Sequence, residues 1–125
     1  MFSHIMVGTN DLDRAKAFYD ATFAALGVNP GFVDRHRVFW RSPTGVFSAS
    51  LPIDGQPACH ANGGTVGFAC ASPEQVDAWH AAGLTAGGVS IEDPPGVREG
   101  PTGRMYLAYL RDPDGNKLCG LYRYP

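Results

Sequence analysis

At 125 residues, with 44% hydrophobic and 18% charged side chains, the chain has the make-up of one ordinary globular domain rather than a disordered segment. A formal charge of −2 excludes the basic balance that nucleic acid or an anionic membrane surface selects. No run approaches the roughly 20 unbroken apolar residues of a membrane span. Met1-Phe2-Ser3-His4 lacks the basic and then apolar order of a secretory leader, so a cytoplasmic location is expected.

His4-Ile5-Met6-Val7 reads as a strand that enters the core at once. Asn10 or Thr9 is placed to cap the following helix, predicted over Asp11–Leu26, and Asp11 and Asp13 favour its first turn. Leu12, Ala15, Phe18-Tyr19, Thr22-Phe23 and Leu26 recur at helical spacing, and Gly27 is a fitting stop. Residues 31–41 and 46–53 then give short extended segments around the turn at Pro43-Thr44-Gly45.

A second set of elements follows. Thr65-Val66-Gly67-Phe68 begins an apolar strand running to Ala71. Ser72-Pro73-Glu74-Gln75 is a capping box, with Ser72 as N-cap, Pro73 at the first helical position and Gln75 three residues after the cap. Val76, Trp79 and Ala82 form the buried stripe of a helix that Gly83 should end. The Gly/Pro-rich stretch Gly87–Gly103 predicts at most one short strand. Met105–Arg111 and Lys117–Tyr122 read as a hairpin around Asp112-Pro113-Asp114-Gly115-Asn116.

The two sets match. Arg41-Ser42-Pro43-Thr44-Gly45 and Arg111-Asp112-Pro113-Asp114-Gly115 are turns of one design, each preceded by strand and then helix. A period of about half the chain means two copies of one supersecondary unit. The expectation is a single domain over 1–125: module one about 1–55, a linker about 56–62 and module two about 63–125. The three cysteines, Cys59, Cys70 and Cys119, sit in no metal-knuckle spacing and read as reduced thiols.

The strand-opening His4, the Asn10-Asp11-Leu12 to Phe18-Tyr19 helix and the Asp112-Pro113-Asp114-Gly115-Asn116 hairpin together resemble the vicinal oxygen chelate superfamily, which includes glyoxalase I, fosfomycin-resistance enzymes, extradiol dioxygenases and bleomycin-resistance proteins. The resemblance covers essentially the whole chain. It implies an α+β fold: two βαβββ modules whose mixed curved sheets form a shared cup, with helices on the outer face, commonly in a homodimer. It is specific for the fold and not for the reaction, because this fold hosts several chemistries and some pure binders.

In that superfamily a divalent ion commonly sits in the cup on histidine and glutamate ligands, one from each opening and each closing strand, and acts as a Lewis acid. Here the first position is His4, which matches. The second module opens with Thr65 in place of histidine, and its closing strand offers Cys119 in place of glutamate. The same offset from Gly45 gives Ala49. Two alternatives stay open: no resident metal, or a zinc, nickel, manganese or iron ion held by His4 and Cys119, with His60 swung in from the linker. Cys119 as a nucleophile activated by His4 is a further possibility.

Strand alternation fills in the rest of the cup. Tyr109 should lie opposite Cys119, and Phe39 opposite Ala49. His4, Met6, Arg37, Phe39, Arg41, Thr65, Tyr109, Cys119 and Leu121 should face the cup, and Trp40 the core. His36 and Arg104 are rim candidates. Such a cup suits a small amphipathic or anionic organic molecule, bound by His4, Arg37, Phe39, Thr65, Tyr109 and Cys119. The ordinary alternatives are arginines that reach solvent and a histidine that serves packing.

Three functions follow from this reading: a binder of the bleomycin-resistance type, a divergent metal-dependent lyase, isomerase or dioxygenase using His4 and Cys119, and a degenerate interaction domain with a filled cup.

Overall fold

The computed structural model describes residues 1–125. In chain order the elements are β1 (His4–Gly8), α1 (Leu12–Ala24), β2 (Phe32–Asp34), β3 (Arg37–Ser42), β4 (Gly45–Ser50), β5 (Val66–Ala69), α2 (Pro73–Thr85), β6 (Val89–Gly100), β7 (Gly103–Arg111) and β8 (Lys117–Arg123). Each half runs β-α-β-β-β. The sheets have the orders β1-β4-β3-β2 and β5-β8-β7-β6, with the first pair of each parallel and the rest antiparallel. They do not close into one barrel, and no strand of one pairs with a strand of the other. No helix is long and apolar enough to cross a membrane.

Both helices start where a side chain can satisfy free backbone N–H groups. Ser72 accepts from the Gln75 amide at 3.1 Å, and Gln75 reaches back to the Ala71 amide at 2.7 Å, so the capping box forms. In α1 the cap is Asp11, which accepts from the Arg14 amide at 3.0 Å, and neither Asn10 nor Thr9 takes that role. Those two residues bind outward instead, to Asp114 of the β7–β8 turn and to the linker at Ala58.

Gly83 does not end α2, which continues to Thr85. A Cβ at Gly83 would stand 2.3 Å from a Leu110 methyl and 3.4 Å from one of Thr22. The missing side chain lets α2 settle close on β7 and α1, so this glycine serves packing rather than termination.

The stretch expected to be irregular is mostly β6. It pairs with β7 in two segments, Val89–Ile91 and Gly96–Gly100, and between them Glu92–Pro95 stand opposite Ala108 alone. Pro94 and Pro95 fall inside this bulge, where no ladder hydrogen bond is asked of them.

One buried cluster joins the modules: Phe18, Tyr19 and Phe23 of α1, Trp40 and Phe47 of sheet one, Val76 and Trp79 of α2, and Leu110 and Leu118 of sheet two. Phe68 of β5 carries it across the boundary, its ring 5.1 Å from Phe23 and 5.4 Å from Phe47 in edge-on contacts. Each such pair adds about 0.5–1.5 kcal/mol beyond its buried area. Trp40 lies in this core as expected, and its indole N–H donates to Asp20 at 2.9 Å.

The Asp112–Asn116 turn is a latch between the modules. Its Asp114 carboxylate accepts from Thr9 Oγ1 at 2.6 Å, the Asn10 amide at 2.9 Å and Arg14 at 2.9 Å, and Asn116 donates to the Gly8 carbonyl at 3.0 Å.

Candidate functional site

Strand alternation sorts each sheet into a helix-facing side and an open side. In module one Ile5, Val7, Val38, Trp40, Phe47 and Ala49 join the core. His4, Met6, Arg37, Phe39, Arg41, Val46 and Ser48 take the open side, in cross-strand rows: Arg41–Val46–His4, then Phe39–Ser48–Met6. In module two the corresponding row is Tyr109–Cys119–Gly67, with Arg111–Lys117 before it and Leu107–Leu121–Ala69 after.

Tyr109 therefore lies opposite Cys119, as the spacing predicts, but Phe39 does not lie opposite Ala49. Its partner is Ser48, and Ala49 is buried on the helix side opposite Val38. The cause is turn length. Ser42 pairs with Gly45 around a two-residue turn, whereas Arg111 pairs with Lys117 around five residues. Equal offsets from the two glycines consequently land on opposite faces. Ser48, missed in the sequence, is found by counting from a two-residue turn. It is buried, and its hydroxyl donates to the Val38 carbonyl at 2.9 Å.

His4 is exposed, with Nδ1 2.8 Å from Ser3 Oγ. Arg37 donates from Nε to His36 at 3.2 Å, and Phe39 stacks on Phe32 at 5.5 Å. Thr65 is exposed just ahead of β5, and Arg104 lies over the Tyr124 ring. Cys119 is 5% exposed, and burial pushes its thiol up to about 11 while the Tyr109 hydroxyl pulls it partly back. Tyr109 is itself raised, first by burial and then by Cys119 and Glu92. At neutral pH both are protonated. A thiolate is what nucleophilic attack requires, and a metal ion would first have to displace the Cys119 proton.

A cavity of about 580 Å³ opens between the start of β1, the β3–β4 turn, the end of α1 and strand β5. Phe23, Trp40, Phe47 and Phe68 give it an aromatic wall, and His4 and Arg41 stand at it. Open-face residues of both modules border this space: His4, Arg41 and Val46 from one, Gly67 and Ala69 from the other. Arg37, Phe39, Thr65, Tyr109 and Cys119 do not line it. The chain thus brings His4 and Arg41 together at the cavity and leaves Tyr109 and Cys119 on the other sheet's open face.

The donors do not fit a divalent ion. No three His, Cys, Asp or Glu side chains are grouped closely enough to hold one. The opening and closing positions supply one imidazole, one protonated thiol and the hydroxyls of Thr65 and Ser48, which are poor ligands. His60 is exposed and rests by Gly115, in the turn that touches the Gly8 end of β1, while His4 opens that strand. Four strand steps of about 3.3 Å separate those ends by about 13 Å, far beyond a shared coordination sphere.

Two βαβββ modules, each a helix packed on one face of a four-stranded mixed sheet, define the class of protein. The profile of the Glyoxalase/Bleomycin resistance protein/Dioxygenase superfamily matches residues 1–119. The chain is 59% identical to a glyoxalase/bleomycin resistance protein from Albidiferax ferrireducens T118, whose crystal structure superimposes with a TM-score of 0.97 over 98% of this chain and 99% of that one. A glyoxalase-related enzyme from Fulvimarina pelagi shares the fold at 20% identity (TM-score 0.74; 98% and 88% covered), as does a lactoylglutathione lyase from Agrobacterium tumefaciens at 22% (TM-score 0.68; 98% and 92% covered). No curated protein matches the chain. The chain belongs to the glyoxalase/bleomycin resistance protein/dioxygenase superfamily.

Proposed function

We propose that this chain is a small-molecule-binding member of its superfamily that takes an organic ligand, anionic at one end, at the cavity bounded by the start of β1, the β3–β4 turn, the end of α1 and β5. The observation that carries the reading is the cavity itself. At about 580 Å³ it has the size of a small-ligand site, an aromatic wall for an apolar body, and Arg41 and His4 for a negative end. Binding there requires no metal. The alternative, a metal-dependent lyase, isomerase or dioxygenase using His4 and Cys119, has no adequate donor set to support it.

A homodimer belongs to the same reading. Met6 and Phe32 are large apolar side chains left 44% and 46% exposed on the open side of sheet one, and β1, β2, β5 and β6 are all edge strands that a second copy would cover. The cytoplasmic location rests on the sequence alone.

Ligand-observed NMR against small aromatic acids tests the binding. Hits should be weakened about tenfold by Arg41→Ala. A collection that yields no binder, or binders indifferent to Arg41 and to the cavity wall, would overturn the reading.

A further inference from the structure

A second polar arrangement lies away from the cavity, on the open face of module two. Arg111 and Lys117 are directly paired across β7 and β8, so two cations share one face of neighbouring strands. Like charges so placed repel each other. A single carboxylate within ion-pair reach answers them: Glu92 Oε2, 2.5 Å from Lys117 Nζ. Arg111 spends one N–H on the Gly115 carbonyl at 2.6 Å. Lys117 Nζ lies over the Tyr109 ring, 4.8 Å from its centre, with 27% of the side chain exposed.

Glu92 reaches Lys117 at a conformational cost. Its φ is +58°, a left-handed value that glycine adopts freely and glutamate does not. The other non-glycine residue with positive φ is Arg35, in the short turn between β2 and β3, where such values are ordinary. Glu92 instead begins the bulge that interrupts β6. Bulges re-aim side chains, and strain in a strand persists where the surrounding structure holds it. Here the bulge brings an acid to the face where β8 carries Cys119.

We propose that Lys117 and Arg111, held in place by Glu92 and the Gly115 carbonyl, form a binding site for a small organic monocarboxylate. Two cations and one carboxylate leave one positive charge unanswered, and a monoanion completes it. Glu92 takes one of the three ammonium N–H groups and Gly115 one of the guanidinium donors, so both cations keep donors for a carboxylate. A dianionic phosphate would leave excess negative charge beside Glu92, which sets the class. The ligand's apolar body would lie along Tyr109 and its cross-strand partner Ile91. Glu92 is a positioning residue: it fixes the lysine over the ring. The site is independent of the cavity reading, since none of these side chains borders that space.

The test is an NMR titration of the full chain with benzoate, its neutral isostere benzamide, and inorganic phosphate. Benzoate should bind at least tenfold more tightly than benzamide, shift resonances of Tyr109 and Lys117, and weaken with added salt. Read at Tyr109, Lys117→Met should abolish both the preference and the salt dependence, while any shifts of Trp40 and Phe68 at the cavity stay as in the parent. Glu92→Gly accepts the positive φ without strain. That variant should be at least as stable as the parent yet lose at least threefold of the preference, which a purely structural role would not produce. Three results would overturn the site: no preference for benzoate at Tyr109, a preference there that survives Lys117→Met, or phosphate binding more tightly than benzoate at these residues. Benzoate preferred over benzamide at the cavity alone, with Tyr109 and Lys117 unshifted, would overturn it while leaving the cavity reading intact.

Discussion

Tyr19 of α1 donates a 2.6 Å hydrogen bond from its phenol to the carboxylate of Asp112, which begins the β7–β8 turn of the other module. Both side chains are buried, and Asp112 also accepts from Asn116 Nδ2 and from the Asp114 and Asn116 amides. The turn that reads as a simple hairpin connection is therefore a fixed interface between the halves. Tyr19→Phe removes one donor from a buried carboxylate and should cost about 1–3 kcal/mol, measured by urea unfolding.

The same pair sets a pH dependence. Burial first, and then Asp112, hold the Tyr19 phenol well above its ordinary value of 10.0. A group raised in the folded state contributes stability that is whole below its unfolded value and is lost as pH climbs towards the folded one. Stability should thus fall as pH rises past about 10. Tyr19→Phe should flatten part of that fall, and an unchanged alkaline slope would remove Tyr19 from the account.

Asp114 and Arg14 form an ion pair of unequal halves, with the Asp114 side chain 2% exposed and that of Arg14 47%. Arg14 can return to water, so Arg14→Ala should cost only about 0.5 kcal/mol. Asp114→Ala abandons the Thr9 hydroxyl and the Asn10 amide as well, and should cost about 2 kcal/mol. Equal losses in the two variants would mean that the ion pair, not the hydrogen bonds, fastens the latch.

Thiol reactivity should follow exposure. Cys59 is exposed, while Cys70 and Cys119 are buried with thiols raised chiefly by burial. Iodoacetamide at neutral pH should label Cys59 first and Cys119 slowly, with the Cys119 rate rising as pH approaches about 11. Fast labelling of Cys119 at neutral pH would reinstate it as a nucleophile candidate.

Purified protein soaked in zinc, nickel, manganese or ferrous iron and then desalted should retain well below one ion per chain. His4→Ala should leave that figure unchanged. One retained ion per chain, lost in His4→Ala, would restore the metal-dependent alternative.

Much of this architecture is legible in the residues because it is set locally. The capping box at Ser72, the helical stripe through Phe18 and Phe23, and the Tyr109–Cys119 pairing each depend on neighbours a few positions apart. What escaped depends on contacts distant in sequence. Pro43-Thr44 and Pro113-Asp114 look alike, but one turn is two residues long and the other five, and that difference moves Ser48 to the open face in place of Ala49. Gly83 carries a stop signal that Leu110, arriving from β7, turns into a packing requirement. Glycine and proline in Gly87–Gly103 argue against a strand until β7 supplies a partner and the bulge accommodates both prolines. Glu92 could not be singled out, because its place on the Lys117 face exists only once β6 has bulged.

The central claim is that the cavity beside His4 and Arg41 is the ligand site, and its most direct test fills that space. Gly45 lies on its border, on the same side of β4 as the wall residue Phe47, and a Cβ there would meet nothing within 4 Å. A β-branched residue suits the strand, so Gly45→Ile should fold with a Tm equal to or above the parent's. Titrated with the aromatic acid that the parent binds best at the cavity, this variant should show at least a tenfold loss of affinity. Undiminished binding in a folded Gly45→Ile protein would contradict the account and place the ligand elsewhere.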